Sequence, residues 1–185
     1  MQLLTWANLL SALRLAAALP CAYAVSIGNH WLAAALFVVA VVTDVADGRV
    51  ARWRGEVSHF GGLLDHSSDA IFVSVTLAAL AASGGVPALL PVLVIISFVQ
   101  YTLDSRALTG QALRASRLGR WNGIGYFVLA GVPIIRDALD LVWPPSAWVM
   151  AAGWLLVVST LISMADRGHA FLRSRRSKDR TTVED

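Results

Sequence analysis

Charge, cysteine and strand-like alternation are all scarce in this chain. Of its 185 residues only 15% are Asp, Glu, Lys or Arg, against about a quarter in a soluble domain. Those few charges sit in islands between long apolar runs, and the mean hydropathy is +0.64. That distribution suits a bilayer as solvent, not water. Cys21 is the only cysteine, which excludes an intrachain disulfide and dithiol redox chemistry. It reads as a small apolar residue of a membrane helix. No segment alternates with period two, so a barrel is set aside. The cysteine clusters or paired histidines of a zinc site are missing too.

What the chain does have is length of apolar sequence. A spanning helix needs about 20 mostly apolar residues. Six stretches qualify: Leu4 to Val25, Trp31 to Arg52, Gly61 to Ala82, Pro87 to Leu103, Trp121 to Leu141, and Ala147 to Met164. Glycine and proline punctuate the short connections, as at Gly28, at Gly84, Gly85 and Pro87, and at Pro144 and Pro145. Short connections favour antiparallel neighbours. The expected fold is all-α: a polytopic membrane protein with six transmembrane helices in an up-and-down bundle over residues 1–166, followed by a basic tail over 167–185. Ala22-Tyr23-Ala24 imitates a signal-peptidase site, but no positive charge precedes the apolar run and Arg14 interrupts it. The segment is therefore expected to stay as the first span.

Lys and Arg set the orientation. Arg49, Arg52 and Arg54 flank the turn after the second span; Arg106, Arg114, Arg117 and Arg120 lie between the fourth and fifth; Arg167, Arg173, Arg175, Arg176, Lys178 and Arg180 follow the sixth. The other side offers only Arg136, beside Asp137 and Asp140. Both termini and the charged turns are thus expected in the cytoplasm. The tail is expected to lie on anionic lipid headgroups, each charge contributing about 1 kcal/mol near the surface; a nucleic-acid partner is not expected. Trp31, Trp121, Trp143 and Trp148 fall near span ends, where interfacial anchoring accounts for them.

Ionisable residues within membrane segments are costly and mark function. The second span carries Asp44 and Asp47, the third Asp65 and Asp69. Asp44, Asp47, Gly48, Ala51 and Arg52 share one helical face; Gly61, Asp65 and Asp69 share another. Folded antiparallel about a turn near Gly55 to Ser58, the two faces bring four carboxylates to similar depth. Their mutual repulsion calls for compensating cations, and an all-oxygen shell suits two divalent ions, Mg²⁺ or Mn²⁺. Such a pair can clamp the attacking and leaving oxygens of a phosphoryl displacement. Gly48, Ala51 and Gly61 leave room for a ligand or for close helix packing. Arg52 offers a planar fork for phosphate oxygens. His66 points about 100° away from Asp65 and reads as no metal ligand, and His59 reads as solvated.

The stretch Asp44-x2-Asp47-Gly48-x2-Ala51-Arg52-x8-Gly61-x3-Asp65-x3-Asp69 resembles the signature of the CDP-alcohol phosphotransferase (phosphatidyltransferase) family at every fixed position. The resemblance implies transfer of a phosphate-linked group from a CDP-linked donor, commonly CDP-diacylglycerol, to an alcohol, with release of CMP. It implies that Asp44 and Asp65 contact both metals, Asp47 one and Asp69 the other, and that Asp69 also takes the acceptor's proton. By the same carry-over, Gly48, Arg52 and Ser58 line the donor site beside Ala51 and Gly61. Asn8-x-x-Ser11 matches a further family pattern in the first span, and Arg14 follows it into the same polar cavity. Family members are usually homodimers.

For the acceptor, a phosphate-bearing alcohol would call for a cationic pocket, and Arg106, Arg114 and Arg117 have the right sign and side. Ser116-Arg117-Leu118-Gly119-Arg120 is similar to the Ser-x-x-Gly-Lys stretch of glycerol-phosphate enzymes, with Arg120 in place of Lys and no Thr following. Glycerol 3-phosphate is the favoured acceptor, as in phosphatidylglycerophosphate synthase-like members. Inositol phosphate, serine and phosphatidylglycerol are the alternatives. A cation transporter is the reading from another class, but its acids should line a path to the far side, and here they gather towards one.

Overall fold

A computed structural model describes residues 5–55, 58–104 and 117–181. Six helices follow in order: α1 Trp6–Ser26, α2 His30–Arg54, α3 His59–Ala82, α4 Leu89–Asp104, α5 Arg117–Ala138 and α6 Ser146–Thr181. Local chemistry sets their ends. Thr5 caps α1 by accepting from the Asn8 N–H at 3.1 Å, and Asn29 caps α2 by accepting from Leu32 at 3.2 Å. Gly55, at φ 66°, adopts the left-handed conformation that stops α2. Ser58 then caps α3 through the Gly61 N–H at 3.0 Å.

Among the described residues, four helices are long and apolar enough to cross a bilayer: α1, α2, Phe60–Ala82 of α3, and Ser146–His169 of α6. The fourth helix is a shorter apolar one, and α5 is apolar between the polar ends marked by Arg120 and Arg136. The chain is a multi-pass membrane protein. α6 does not stop at the last apolar residue; it runs 36 residues in all, through the basic stretch to Thr181.

The packing differs from the face-to-face pairing of α2 and α3 pictured from sequence. α1 lies along both, and α2 and α3 barely touch each other. The cause is the slender inner face of α1, where Ser11, Ala17, Ala18, Cys21, Ala22 and Ala24 are buried. Small residues let two neighbours approach one helix closely. α5 closes the bundle against α2 and α6, and α4 packs between α3 and α6. At the centre Phe37, Phe72 and Phe127 meet with ring centroids 6.0–6.4 Å apart. Gly131 of α5 makes that cluster fit, because a Cβ there would lie 2.6 Å from the Phe37 ring.

Candidate metal centre and active site

Asn8, Ser11 and Arg14 are all buried on the face of α1 that looks between α2 and α3. Arg14 is fully buried. Its Nη1 lies 3.0 Å from Asp65 Oδ1 and 3.5 Å from Asp44 Oδ1, and it also donates to Asp69 Oδ1. Nη2 donates to Asp47 Oδ2. One guanidinium therefore touches all four carboxylates, two from α2 and two from α3. Ser68 Oγ adds an acceptor 3.2 Å from Nη1, and Ser11 Oγ stands 3.5 Å from Asp47 Oδ2.

Sequence spacing alone brings these acids to a common depth; the structure brings them together across α1. Oxygens of Asp44, Asp47 and Asp65 lie within 4.8 Å of one another. The exposed His66, set aside by the helical-wheel argument, comes nearer than that argument allows. Its Nδ1 is 3.5 Å from Asp65 Oδ2, and it falls within the same 4.8 Å limit of Asp65 and Asp69. A side chain one residue along a helix can swing back, which a wheel of Cβ directions does not capture.

The residues expected around the donor gather at the same end of the bundle. Asn8 Oδ1 is so close to Gly61 that an added Cβ would sit 3.1 Å from it. The Arg52 side chain folds back over Gly48, where a Cβ would meet its Nη1 at 3.5 Å. Arg52 and Ser58 are exposed, while Gly48 and Ala51 are half-buried. Of the expected acceptor arginines, Arg106 and Arg114 lie outside the described residues, as does the side chain of Arg117, which opens α5.

A cavity of about 710 Å³ opens beside the acids between α2, α3, α4, α5 and α6. Asp44, Asp69, His66, Tyr101, Arg120 and Arg167 line its polar end; deeper in, Val73, Val94, Phe98 and Phe127 make it apolar. Arg167 is held there by Ser97, donating to its Oγ at 2.7 Å and its carbonyl at 3.3 Å, with the guanidinium 6.0 Å above the Tyr101 ring. Sequence reasoning counted Arg167 as the first residue of a solvated tail. The signal that it belongs elsewhere is the uninterrupted helix, which carries it about two turns beyond Thr160 on the inward side, where Thr160 and Ser163 are buried.

The CDP-alcohol phosphatidyltransferase family profile matches residues 4–163. The chain belongs to that family. Among curated relatives it is similar to a CDP-diacylglycerol–glycerol-3-phosphate 3-phosphatidyltransferase of Cereibacter sphaeroides, 27% identical over 79% of this chain and 74% of the relative. It is also similar to a putative cardiolipin synthase of Mycobacterium tuberculosis, 32% identical over 85% and 76%, and to a phosphatidylinositol phosphate synthase of Mycolicibacterium smegmatis, 30% identical over 78% and 67%. No solved structure matches the chain significantly.

As a family member the chain is a phospholipid-synthesising transferase that acts on CDP-linked substrates, and the family uses divalent metals. The residues present fit such ions. The donor atoms are carboxylate oxygens, the ligand type preferred by hard cations, and the cluster already converges on one positive centre, the Arg14 guanidinium.

Proposed function

We propose that the chain transfers a phosphatidyl group from CDP-diacylglycerol to glycerol 3-phosphate, releasing CMP, at the cytoplasmic face of the membrane. Asp44, Asp47, Asp65 and Asp69 hold two divalent ions, Mg²⁺ or Mn²⁺. When bound, these ions neutralise the diphosphate and the charge that develops on the departing CMP.

Asp69, which lines the cavity, takes the proton from the acceptor hydroxyl. The hydroxyl oxygen forms a bond to the phosphorus that carries diacylglycerol, and the bond from that phosphorus to CMP breaks. Asn8, Ser11, Gly48, Ala51, Arg52, Ser58 and Gly61 receive the donor's nucleotide end, with Arg52 towards the phosphates. The site's position at one end of the bundle lets a water-soluble head enter while the acyl chains remain in lipid. Two copies of the chain pair as a homodimer. An apolar groove between α3 and α4, lined by Ala78, Ala81 and Ala88 among larger side chains such as Ile71, Val92 and Ile95, supports approach of a second copy.

The observation that carries the acceptor assignment is the cavity itself. Arg120 and Arg167 stand at its polar end, beside Asp44 and Asp69. Two cations within reach of the reacting hydroxyl suit an alcohol that bears its own phosphate. Arg106, Arg114 and Arg117 remain part of this proposal as cations that guide the acceptor in. The test is CMP release from CDP-diacylglycerol with glycerol 3-phosphate, inositol phosphate, serine or phosphatidylglycerol, in the wild type and in Arg120→Gln. Glycerol 3-phosphate should give the fastest release, and Arg120→Gln should raise its KM roughly tenfold, the size of one lost charge-assisted hydrogen bond. Faster turnover with any other acceptor would overturn the assignment.

A further inference from the structure

We propose that Arg14 is a built-in counter-ion: its guanidinium occupies the carboxylate cage when divalent metal is absent, and it must leave for metal to enter. The inference rests on the reading that the four aspartates hold divalent ions.

Three observations carry it. Arg14 is fully buried in a membrane helix, yet its neighbours are four acids contributed by two other helices. An uncompensated cluster of that charge in a low-dielectric interior would push α2 and α3 apart, and these helices barely touch directly. Arg14, on the helix that packs against both, supplies a buried positive charge in contact with all four acids.

Nη1 sits among Asp44, Asp65 and Asp69, at 3.0 and 3.5 Å from the first two named oxygens of Asp65 and Asp44. Mg²⁺ binds oxygen ligands at about 2.0–2.1 Å. An ion shared by those oxygens would need the space that Nη1 fills, and like charges at that separation repel strongly. The guanidinium and the ions therefore exclude one another.

The side chain is also poorly tethered apart from the acids. Its buried Nε has no hydrogen-bond partner among the described residues. Besides the carboxylates, the partner of its terminal nitrogens is Ser68 Oγ at 3.2 Å. Ser11, one turn nearer the start of α1, is the next polar group on the same buried face. A group held chiefly by the ligands of an incoming ion is released when the ion takes them.

The test uses the full chain in detergent. Free Mn²⁺ is followed by its electron paramagnetic resonance signal, and thermal unfolding is measured in EDTA and in Mn²⁺. Arg14→Gln removes the charge at nearly constant length, while Arg14→Lys retains it. Arg14→Gln should bind Mn²⁺ at least tenfold more tightly than the wild type, unfold at lower temperature in EDTA, and recover in Mn²⁺; Arg14→Lys should stay near the wild type. A purely structural arginine would lower stability equally in both conditions and leave Mn²⁺ affinity unchanged, and that result would overturn the inference. So would weaker Mn²⁺ binding, or failure of Arg14→Gln to fold even with Mn²⁺, since the ions are held to replace its charge. Should the wild type itself bind no Mn²⁺, the metal reading falls first; a failure confined to the variants sinks only the role of Arg14.

Discussion

Asp69 occupies a position where two surroundings meet. It lines the cavity that Arg120 and Arg167 also line, and it receives a hydrogen bond from the buried Arg14. In the proposed transfer, this carboxylate accepts the acceptor's proton as the new phosphorus–oxygen bond forms. General-base assistance contributes about 10²–10⁴-fold in rate, so Asp69→Asn should lower CMP release by at least about 100-fold. The amide keeps the side-chain volume, and insertion and thermal unfolding in detergent should stay close to the wild type. Turnover near the wild-type rate would remove Asp69 from the role of base. The aspartates were legible in the sequence because a membrane makes every buried charge conspicuous. The reach of Arg14 was only half legible: spacing from Asn8 and Ser11 gave its face, but contact with acids on two other helices depends on where those helices lie. Arg167 was hidden for a different reason, since a cation at the head of a basic run looks like any headgroup contact.

At the scale of the helix, the spans were readable and their arrangement was not. Apolar length and the glycine and proline punctuation located the first five helices, and the start of the sixth, to within a few residues. The basic residues of the sixth gave no sign that the helix would continue through them to Thr181. The insertion of α1 between α2 and α3 was invisible for a physical reason. In a bilayer both the packed face and the lipid face of a helix are apolar, so periodicity loses the contrast that marks a buried face in water. Small residues are the remaining signal, and α1 buries a run of them.

Close packing also determines what α5 tolerates. Gly131→Ala would gain about 1 kcal/mol of helix propensity, but its Cβ would lie 2.6 Å from a Phe37 ring already hemmed by Phe72 and Phe127. Overpacking costs about 1–3 kcal/mol, so the steric term wins. Gly131→Ala should unfold at a lower temperature with unchanged Mn²⁺ affinity. A raised melting temperature would show that the aromatic cluster yields more readily than the packing implies.

The whole molecule is built with two unlike ends. The acids, Arg52, Ser58, Arg120 and Arg167 belong to one; the turn after α5, with Arg136 bonded to Asp137 and to the Pro144 carbonyl, belongs to the other. Exposed tryptophans mark both, with Trp6, Trp53 and Trp121 at the first and Trp31, Trp143 and Trp148 at the second, as expected where rings sit at the two interfaces. The excess of Lys and Arg at the first end is the basis for the proposal that this end faces the cytoplasm. Trp53→Cys and Leu141→Cys, tested in intact cells with a membrane-impermeant maleimide, check this directly, because the native Cys21 is fully buried. Leu141→Cys should label from outside and Trp53→Cys only after permeabilisation; the reverse pattern would invert the topology.

The account depends most on acids from two separate helices acting as one cation-loaded centre for transfer. CMP release from CDP-diacylglycerol and glycerol 3-phosphate, measured on the purified chain before and after exhaustive chelation, tests that most directly. Release should require the acceptor, vanish with EDTA and return with Mg²⁺ or Mn²⁺. Release that persists in the chelated enzyme would contradict it.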